Sequence, residues 1–574
     1  MPLTRSHQNL KTLAEESFKK YSSSLFLTNV GEAGISYEKA QVMVSNVQAM
    51  LKALEIKPGD KVAICSENMP TWGIAYIAIS TMGAVVVPIL ADFHNNEIHH
   101  IIKHSEAKAM FVSNKLFSKI NEDDFSSNLS YVFSLENFEL IETKTPSHSE
   151  FYNKGMKTLT ELKKKALHFA SDKKIIKINH VDTDLNIQSD DIAAIIYTSG
   201  TTGQSKGVML SHGNITAQIQ QAKTLIEISK DDRFLSILPL AHTFECSLGL
   251  LVPLANGSSI HYLNRVPSPK IILKAMKTVK PTCMLSVPLV IEKIYKNKVL
   301  PEFQKNFVIK YLYKHVPFIR KILNNIAGKK LIESFGGEIK FFGIGGAKLS
   351  EFVEAFLLEA NFPYAIGYGL TETAPIIAGA IPGKTRLGTT GILAAGVEAR
   401  FIKQNESDLS GELHVRGPNI MAGYYRDQQQ TNDVIDNDGW FNTGDLGYID
   451  KHGILTINGR SKNVIIGANG ENIYPECVEA IINQHQFVID SLVYEQDNQV
   501  VAKIHIDYDL FDEEYKMEES NEAELHKDII KLLASIKESS NMLLSANSKL
   551  KMVIEQTEPF IKTPTKKIKR YLYT

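Results

Sequence analysis

The densest group of chemistry-bearing residues is the run Tyr197-Thr-Ser-Gly-Thr-Thr-Gly-Gln-Ser-Lys206-Gly207. Its glycines, Gly200, Gly203 and Gly207, let backbone N–H groups approach a phosphate closely. Thr198, Ser199, Thr201 and Thr202 add hydroxyl donors. Lys206 adds a charge-assisted contact. Without those hydroxyls and Lys206, such a run would read as a flexible turn; with them, a polyphosphate is its natural guest. It is not a Walker-type loop, which needs Gly directly before its Lys and Ser/Thr directly after, where this chain has Ser205 and Gly207. The loop follows the apolar run Ile192–Thr198, and ligands of open α/β sheets bind at the carboxyl ends of strands.

A second concentration lies at the far end of the chain. KTPTKKIKR (562–570) carries five basic residues, which by charge alone reads as a solvated or membrane-facing patch. No Ser-His-Asp arrangement, G-x-S-x-G elbow or H-E-x-x-H pair competes with a phosphate-centred chemistry. The four cysteines (Cys65, Cys246, Cys283, Cys477) are widely spaced and form no CxxC pair. That pattern suits reduced thiols of a cytosolic protein, not a disulfide framework or a zinc site.

The elements that must position these residues follow from periodicity. Between about 35 and 115, helical patterns alternate with short apolar strands at Lys61–Cys65, Ala84–Ile89 and Ala107–Val112, which implies βαβ units and a parallel sheet covered on both faces. Residues 113–190 are richer in Ser, Lys and Asn and read as loops and short helices. Beyond Ile192 the alternation resumes, with helices near 212–228 and 245–254 and strands near 233–238 and 258–263. A helix–strand pair covers 268–287, and amphipathic helices fill 289–335. The strand Ile339–Ile344 runs into Gly345-Gly346-Ala347, and Ser350 is placed to cap the next helix. After about 385, GELHVRG, GWFNTGDLGYID and GILTING give a β-rich texture with Gly/Asp/Asn turns, expected as a smaller sheet or barrel appended to the α/β body. The last stretch, 462–574, suits a small α+β domain.

Bulk properties set the outer limits. At 574 residues the chain is too long for one ordinary core. Apolar residues make up 44%, charged residues 22%, and the formal net charge is -1. No global field therefore draws it to nucleic acid or to an anionic membrane. The uncharged run Trp72–Leu90 is long enough to test the transmembrane rule. Gly83 divides it into a helical half and a Val-rich half, so it reads as a buried helix followed by a buried parallel strand. The start, MPLTRSHQNL, lacks the apolar core of a secretory leader.

YTSGTTGQSKGVMLSHGN (197–214) resembles the signature loop of the adenylate-forming superfamily: acyl-CoA synthetases, adenylation domains of peptide synthetases and beetle luciferases. Further motifs follow in that superfamily's order: LPLAHTFE (238–245), GYGLTETAP (367–375), GELHVRGPNIMAGYY (411–425), GWFNTGDLGYID (439–450), GRSKNVIIGANGENIYP (459–475) and KTPTKKIKR. Together they span nearly the whole chain. The resemblance implies a large N-terminal domain (1–461) of parallel α/β sheets with a small appended β-barrel. A small, mobile α+β C-terminal domain (462–574) would follow.

The resemblance also implies roles. Tyr368 and Gly369 on one side, with Gly345, Gly346 and Ala347 on the other, would hold the adenine ring. Thr371 would contact the α-phosphate region, and Glu372 would help hold Mg²⁺. Asp445 would accept the ribose hydroxyls, with Arg460 completing that recognition. His242 would border the acyl pocket. Lys567 aligns with the catalytic lysine, Lys562 with an earlier lysine of the pattern and Arg570 with its final arginine. Lys566 stands where Gly is usual, and only the spacing to Arg570 favours Lys567 over it. Lys462 occupies the hinge position, and Gly467 and Gly470 would line the thiol tunnel.

SVPLVIEKIY (286–295), FFGIGGAKLS (341–350), GYGLTETAP and TPTKKIKR resemble the long-chain acyl-CoA synthetase branch in particular, although Leu289 stands where that branch has Arg. The implied reaction is ATP-dependent, AMP-forming ligation of a fatty acid to coenzyme A, with Mg²⁺ as cofactor. The largely apolar run Leu235–Leu254 would supply an alkyl tunnel or plain core. Two alternatives stay open at this level: loading of an acyl-carrier protein, and a non-catalytic lipid- or nucleotide-binding relative. A nucleic-acid partner and a transmembrane segment are not expected. Location is expected to be cytoplasmic, and peripheral contact with the inner face of a membrane is left open, as is the oligomeric state.

Overall fold

The computed structural model describes residues 9–143, 146–170, 185–199, 205–265, 267–403, 405–406, 408–467, 472–497, 499–515, 522–563 and 567–574. Two large sheets form the body. The first has seven strands in the order Gly423–Tyr424, Ser205–Ser211, Ile192–Ser199, Val85–Ile89, Lys61–Cys65, Ala109–Val112, Tyr131–Ser134. Its centre is parallel, and Ser205–Ser211 turns back antiparallel on Ile192–Ser199. Both faces of the central strands are buried, which is why Val85–Ile89 and Ala109–Val112 read as unbroken apolar runs. The uncharged stretch after Trp72 divides as its sequence suggests, into the helix Pro70–Thr81 and the strand Val85–Ile89.

The second sheet has thirteen strands. Leu25–Asn29, Ser259–Tyr262, Arg233–Ser236, Cys283–Ser286, Phe341–Ile344 and Tyr364–Gly369 lie side by side in parallel. From Tyr364–Gly369 the pairing becomes antiparallel, through Ile376–Gly379, Gly391–Leu393, Ile454–Arg460, Phe441–Ile449 and Gly411–Arg416 to Glu398–Ile402. The β-rich stretch beyond 385, expected as an appended small sheet or barrel, is thus hydrogen-bonded onto the body's own sheet. Ile376–Gly379 and Gly391–Leu393 make the join: a short turn lets antiparallel strands extend a parallel sheet without a crossover helix.

Three other local expectations change. Residues 146–170 form one helix of 25 residues where short helices and loops were expected. Phe151 and Leu159 recur at helical spacing and pack on the core, and between them a Cβ at Gly155 would press on Leu140 and Tyr131. The Lys/Ser-rich composition hides this sparse stripe. Ser350 precedes the helix Glu351–Glu359 but its side chain makes no capping bond. Its backbone N–H instead donates to Glu292 Oε1 at 2.9 Å. The helix after His242 contains a π-helical turn, Cys246–Leu251, entirely buried.

Beyond Arg460 a separate apolar cluster forms, including Ile465, Val478, Ile482, Val493, Ile504, Phe511 and Ile536. It packs the antiparallel pair Val488–Gln496 and Gln499–Ile506, with Met552–Glu555 added in parallel, against helices Pro475–Ile482 and Glu522–Leu543. Among the described residues, no helix is long and apolar enough to cross a membrane.

Candidate active site

The strand ends of both sheets supply the site. Asp445 and Arg460 are cross-strand partners in the antiparallel pair Phe441–Ile449 and Ile454–Arg460. Their side chains meet with Arg460 Nε 2.9 Å from Asp445 Oδ1. Tyr368, on the strand Tyr364–Gly369, donates its hydroxyl to Asp445 Oδ2 at 2.6 Å. Arg460 Nη1 also donates to the Thr443 carbonyl at 3.1 Å. Asp445 is buried, and that burial pushes its carboxyl up while the Arg460 guanidinium and the Tyr368 hydroxyl pull it down. Three residues assigned separately from three motifs thus form one hydrogen-bonded unit.

Glu372 lies in the short turn Thr371–Thr373 just past Tyr368. The turn is fastened from below: Asn419 Nδ2 donates to the carbonyls of Thr373 and Ile376 at 2.9 Å each, and Ser247 Oγ donates to Ala374 O at 3.1 Å. Thr371 is half-buried on this turn. Glu372 Oε1 accepts the Tyr424 hydroxyl at 3.0 Å. Lys206 Nζ sits 5.1 Å from the centre of the same tyrosine ring. Tyr424 therefore ties Lys206, on the strand leaving the glycine loop, to Glu372. Sequence reasoning gave Tyr424 no role, although it stands inside the quoted GELHVRGPNIMAGYY run.

Gly345, Gly346 and Ala347 follow the strand Phe341–Ile344. A Cβ at Gly345 would stand 3.2 Å from Phe244 Cζ, so the missing side chain lets that ring lie against the turn. Phe244 is a second residue that the sequence did not single out; its place two positions after His242 was the only signal. Gly369 has a different reason to be glycine: a Cβ there would collide with the Pro375 carbonyl, so the hairpin itself requires it. His242 accepts weakly from the Phe244 N–H at 3.5 Å. Burial, with Lys567 nearby as a lesser cause, pushes its imidazole down to about 4, so it is neutral at physiological pH.

Lys567 arrives from the other apolar cluster on a tight tail. Thr563 N–H donates to Lys567 O at 2.7 Å, and Lys567 N–H donates back to Thr563 Oγ1 at 3.1 Å. Two ion pairs pin the tail's ends. Lys562 Nζ contacts Asp490 Oδ1 and Oδ2 at 2.8 and 2.6 Å, and Arg570 Nη1 meets Glu479 Oε1 at 2.7 Å. The Lys567 side chain remains reached by solvent yet is densely surrounded by protein. The resulting desolvation lowers its ammonium below the usual lysine range; Arg460 adds to this, while Asp445 and Glu372 oppose it.

Lys462 is exposed in the single turn Ser461–Asn463 that joins the Arg460 strand to the C-terminal cluster. Gly467 follows the strand Ile465–Ile466. Thr198 pairs with Lys206 in the first sheet, and Ser199 ends its strand. Gly200, Thr201, Thr202, Gly203, Gly470 and Lys566 lie outside the described residues. Leu289 is exposed, so the departure there concerns surface and not pocket lining. The run Leu235–Leu254 supplies buried side chains such as Leu240, Leu248 and Leu251.

The donor set around Glu372 suits magnesium. Mg²⁺ keeps one or two carboxylates and fills its other positions with phosphate oxygens and water. Glu372 offers such a carboxylate opposite Lys206, and among the described residues no group of three His, Cys, Asp or Glu forms a self-contained metal cage.

The model of a family described as AMP-binding enzyme matches residues 14–425, well over half of the chain. This chain belongs to the AMP-binding enzyme family. Among AMP-binding relatives, long chain acyl-CoA synthetase 1 of Arabidopsis thaliana is 29% identical over 490 residues, covering 80% of this chain and 71% of that one. A chloroplastic long-chain-fatty-acid–[acyl-carrier-protein] ligase of the same plant is 26% identical over 541 residues, covering 82% and 72%. In overall fold the chain matches ATP-bound MatB from Rhodopseudomonas palustris, with TM-score 0.72, 22% identity and 98% of each chain covered.

Proposed function

We propose that this protein converts a long-chain fatty acid, ATP and coenzyme A into acyl-CoA, AMP and pyrophosphate. It is an AMP-forming acid–thiol ligase with ATP and coenzyme A as substrates and Mg²⁺ as cofactor. In the first half-reaction the fatty-acid carboxylate attacks the α-phosphorus, and the bond to the β-phosphate bridging oxygen breaks. Pyrophosphate leaves and an acyl-adenylate remains. In the second, the coenzyme A thiol attacks the acyl carbonyl, AMP departs and the thiol proton is released. No protein nucleophile is needed, so the chain contributes positioning and charge.

Tyr368, with Gly345, Gly346 and Ala347, holds the adenine. Asp445 and Arg460 hold the ribose, the Tyr368 hydroxyl giving way to a ribose hydroxyl. Thr198, Ser199, Gly200, Thr201, Thr202, Gly203 and Lys206 cradle the outer phosphates. Glu372 would hold Mg²⁺, whose charge would lessen repulsion between the carboxylate and the phosphates. Lys567 places its ammonium between the carboxylate and the α-phosphate as charge develops, and Thr371 steadies the same phosphate. Neutral His242 shapes the acyl entrance. Residues 1–461 and 462–574 form two domains, and rotation about Lys462 withdraws Lys567 so that Gly467 and Gly470 can line the thiol path.

The observation that carries this reading is the hydrogen-bonded unit of Tyr368, Asp445 and Arg460, together with the bond from Tyr424 to Glu372. A second reading, an acyl-carrier protein as thiol acceptor, is favoured by the relative named as such a ligase. Pyrophosphate release measured across saturated acids from acetate to arachidate, with coenzyme A or an acyl-carrier protein as acceptor, separates them. Turnover that climbs with chain length and needs coenzyme A supports the first reading; turnover only with carrier protein supports the second. No release with any fatty acid overturns both. The four free cysteines, three of them buried, support a cytoplasmic location.

A further inference from the structure

Between the strands Cys283–Ser286 and Phe341–Ile344 the chain makes a helical excursion with an unusual outer surface. The helix Phe307–His315 has no buried residue. Phe307 is 81% exposed, Phe318 74%, Val308 60% and Tyr311 55%, with Ile322 and Ile326 exposed beside them. Single exposed apolar residues need no explanation, but six within twenty residues do. The other side of the excursion is fastened. Helix Pro317–Ser334 buries Asn324, Gly328 and Leu331, Gly328 lies too close to the Ala360 carbonyl to admit a Cβ, and Arg320 forks onto Glu359. The apolar face is therefore held outward and is not a loose end.

Its charge is equally biased. No acidic residue occurs between Glu302 and Glu333, whereas Lys305, Lys310, Lys314, Arg320, Lys321, Lys329 and Lys330 do. The six lysines are exposed. Since the whole chain carries only -1, this is a local field and not a general one. Phe307, Lys310, Tyr311 and Lys314 fall at i, i+3, i+4 and i+7, one stripe of a helix; on the next helix Phe318, Lys321, Ile322 and Lys329 fall at i, i+3, i+4 and i+11, again on one side. Aromatic and basic residues on one stripe suit the boundary between acyl chains and headgroups, where rings sink and lysines reach outward to phosphate. A two-fold pairing with a second copy would set the same exposed lysines against themselves.

We propose that the excursion from Phe307 to Ser334 is a docking surface for a bilayer containing anionic phospholipid, with Phe307, Tyr311 and Phe318 entering the interface and Lys310, Lys314 and Lys321 facing its phosphates. This goes beyond the catalytic reading, because it fixes where the molecule meets the phase in which long acyl chains dissolve. Its readout is partitioning onto vesicles and not turnover, so its failure leaves the ligase reading intact.

The experiment is vesicle flotation of the full chain, using phosphatidylcholine alone or mixed with phosphatidylglycerol, at low and high salt. The wild type is expected to float with the anionic vesicles, poorly with the neutral ones, and to be released by salt. Lys310→Glu, Lys314→Glu and Lys321→Glu combined should weaken partitioning by at least roughly a hundredfold, at about fivefold per lysine lost. Phe307→Ser with Phe318→Ser should weaken it at least tenfold. Both variants should keep the wild-type melting temperature and its turnover of a water-soluble medium-chain acid. Wild type that stays behind with anionic vesicles, or variants that float as it does, would overturn the proposal. So would a dimer in size-exclusion chromatography that the Phe variant abolishes, because the face would then belong to a second copy.

Discussion

The pocket residues of the body and the lysine of the tail are held in opposite ways. Tyr368, Asp445 and Arg460 sit on strands of one sheet and are locked to each other by bonds of 2.6 and 2.9 Å. Glu372 is bonded to Tyr424, and its turn is secured by the buried Asn419. Lys567 belongs to no regular element; its tail is fixed to a different core through Lys562–Asp490 and Arg570–Glu479. On the proposed mechanism, which must first assist phosphoryl displacement and then admit a thiol, that difference would provide a fixed nucleotide site and a removable cation.

The sharpest way to break the comparison is Lys567→Ala. Acyl-adenylate formation should fall by about 10²–10³-fold, while thioester formation from supplied acyl-adenylate stays near wild type; equal losses in both halves would place Lys567 in the fixed site. Asp445→Ala should come next. It leaves Arg460 and the Tyr368 hydroxyl without their shared partner, and KM for ATP in acyl-adenylate formation should rise by about tenfold or more, at roughly 2 kcal/mol for a lost charged hydrogen bond. Arg570→Ala strips the guanidinium from the buried Glu479 carboxylate. It should slow adenylation about tenfold with little change in KM for ATP, and Arg570→Lys should recover part of that.

Smaller effects refine the picture. Tyr424→Phe removes one hydrogen bond to Glu372 and keeps the ring under Lys206. It should cost only a few-fold, about 1 kcal/mol, read as a higher Mg²⁺ requirement. A separate effect, on stability and not on activity, concerns Glu245, a carboxyl two residues after Thr243 whose burial pushes it up to about 8. An acid raised this way stays protonated in the fold while the unfolded chain ionises, so stability falls as pH rises from about 4.5 to about 8. Glu245→Gln should therefore melt above wild type near pH 8, with the gap closing near pH 5, in thermal scans at both values.

The legibility of these parts in the sequence follows the range of their partners. Tyr368, Glu372, Asp445, Arg460 and Lys567 stand inside dense local motifs, so the sequence offers them as candidates before any coordinates. The bonds that organise them are not local: Tyr424 reaches Glu372 across 52 positions, Lys562 finds Asp490 across 72, and Arg570 finds Glu479 across 91. Nothing in a single motif specifies such a partner. Strands buried on both faces were readable because they are unbroken apolar runs. The 146–170 helix was hidden because its buried stripe is thin within a Lys-rich surface, and Ser350 misled because Glu292 claims the backbone N–H at the helix start. The merging of the strands beyond 385 into the main sheet depends on edge pairing, which alternation patterns do not encode.

The most direct test of the central claim is fatty-acid-dependent exchange of labelled pyrophosphate into ATP, measured without coenzyme A. Reversible adenylation predicts exchange that requires both Mg²⁺ and a long-chain acid and that disappears in Lys567→Ala. If ATP is consumed with ADP as product, or if exchange is absent with every acid while the protein is folded and binds ATP, the account of this site is contradicted.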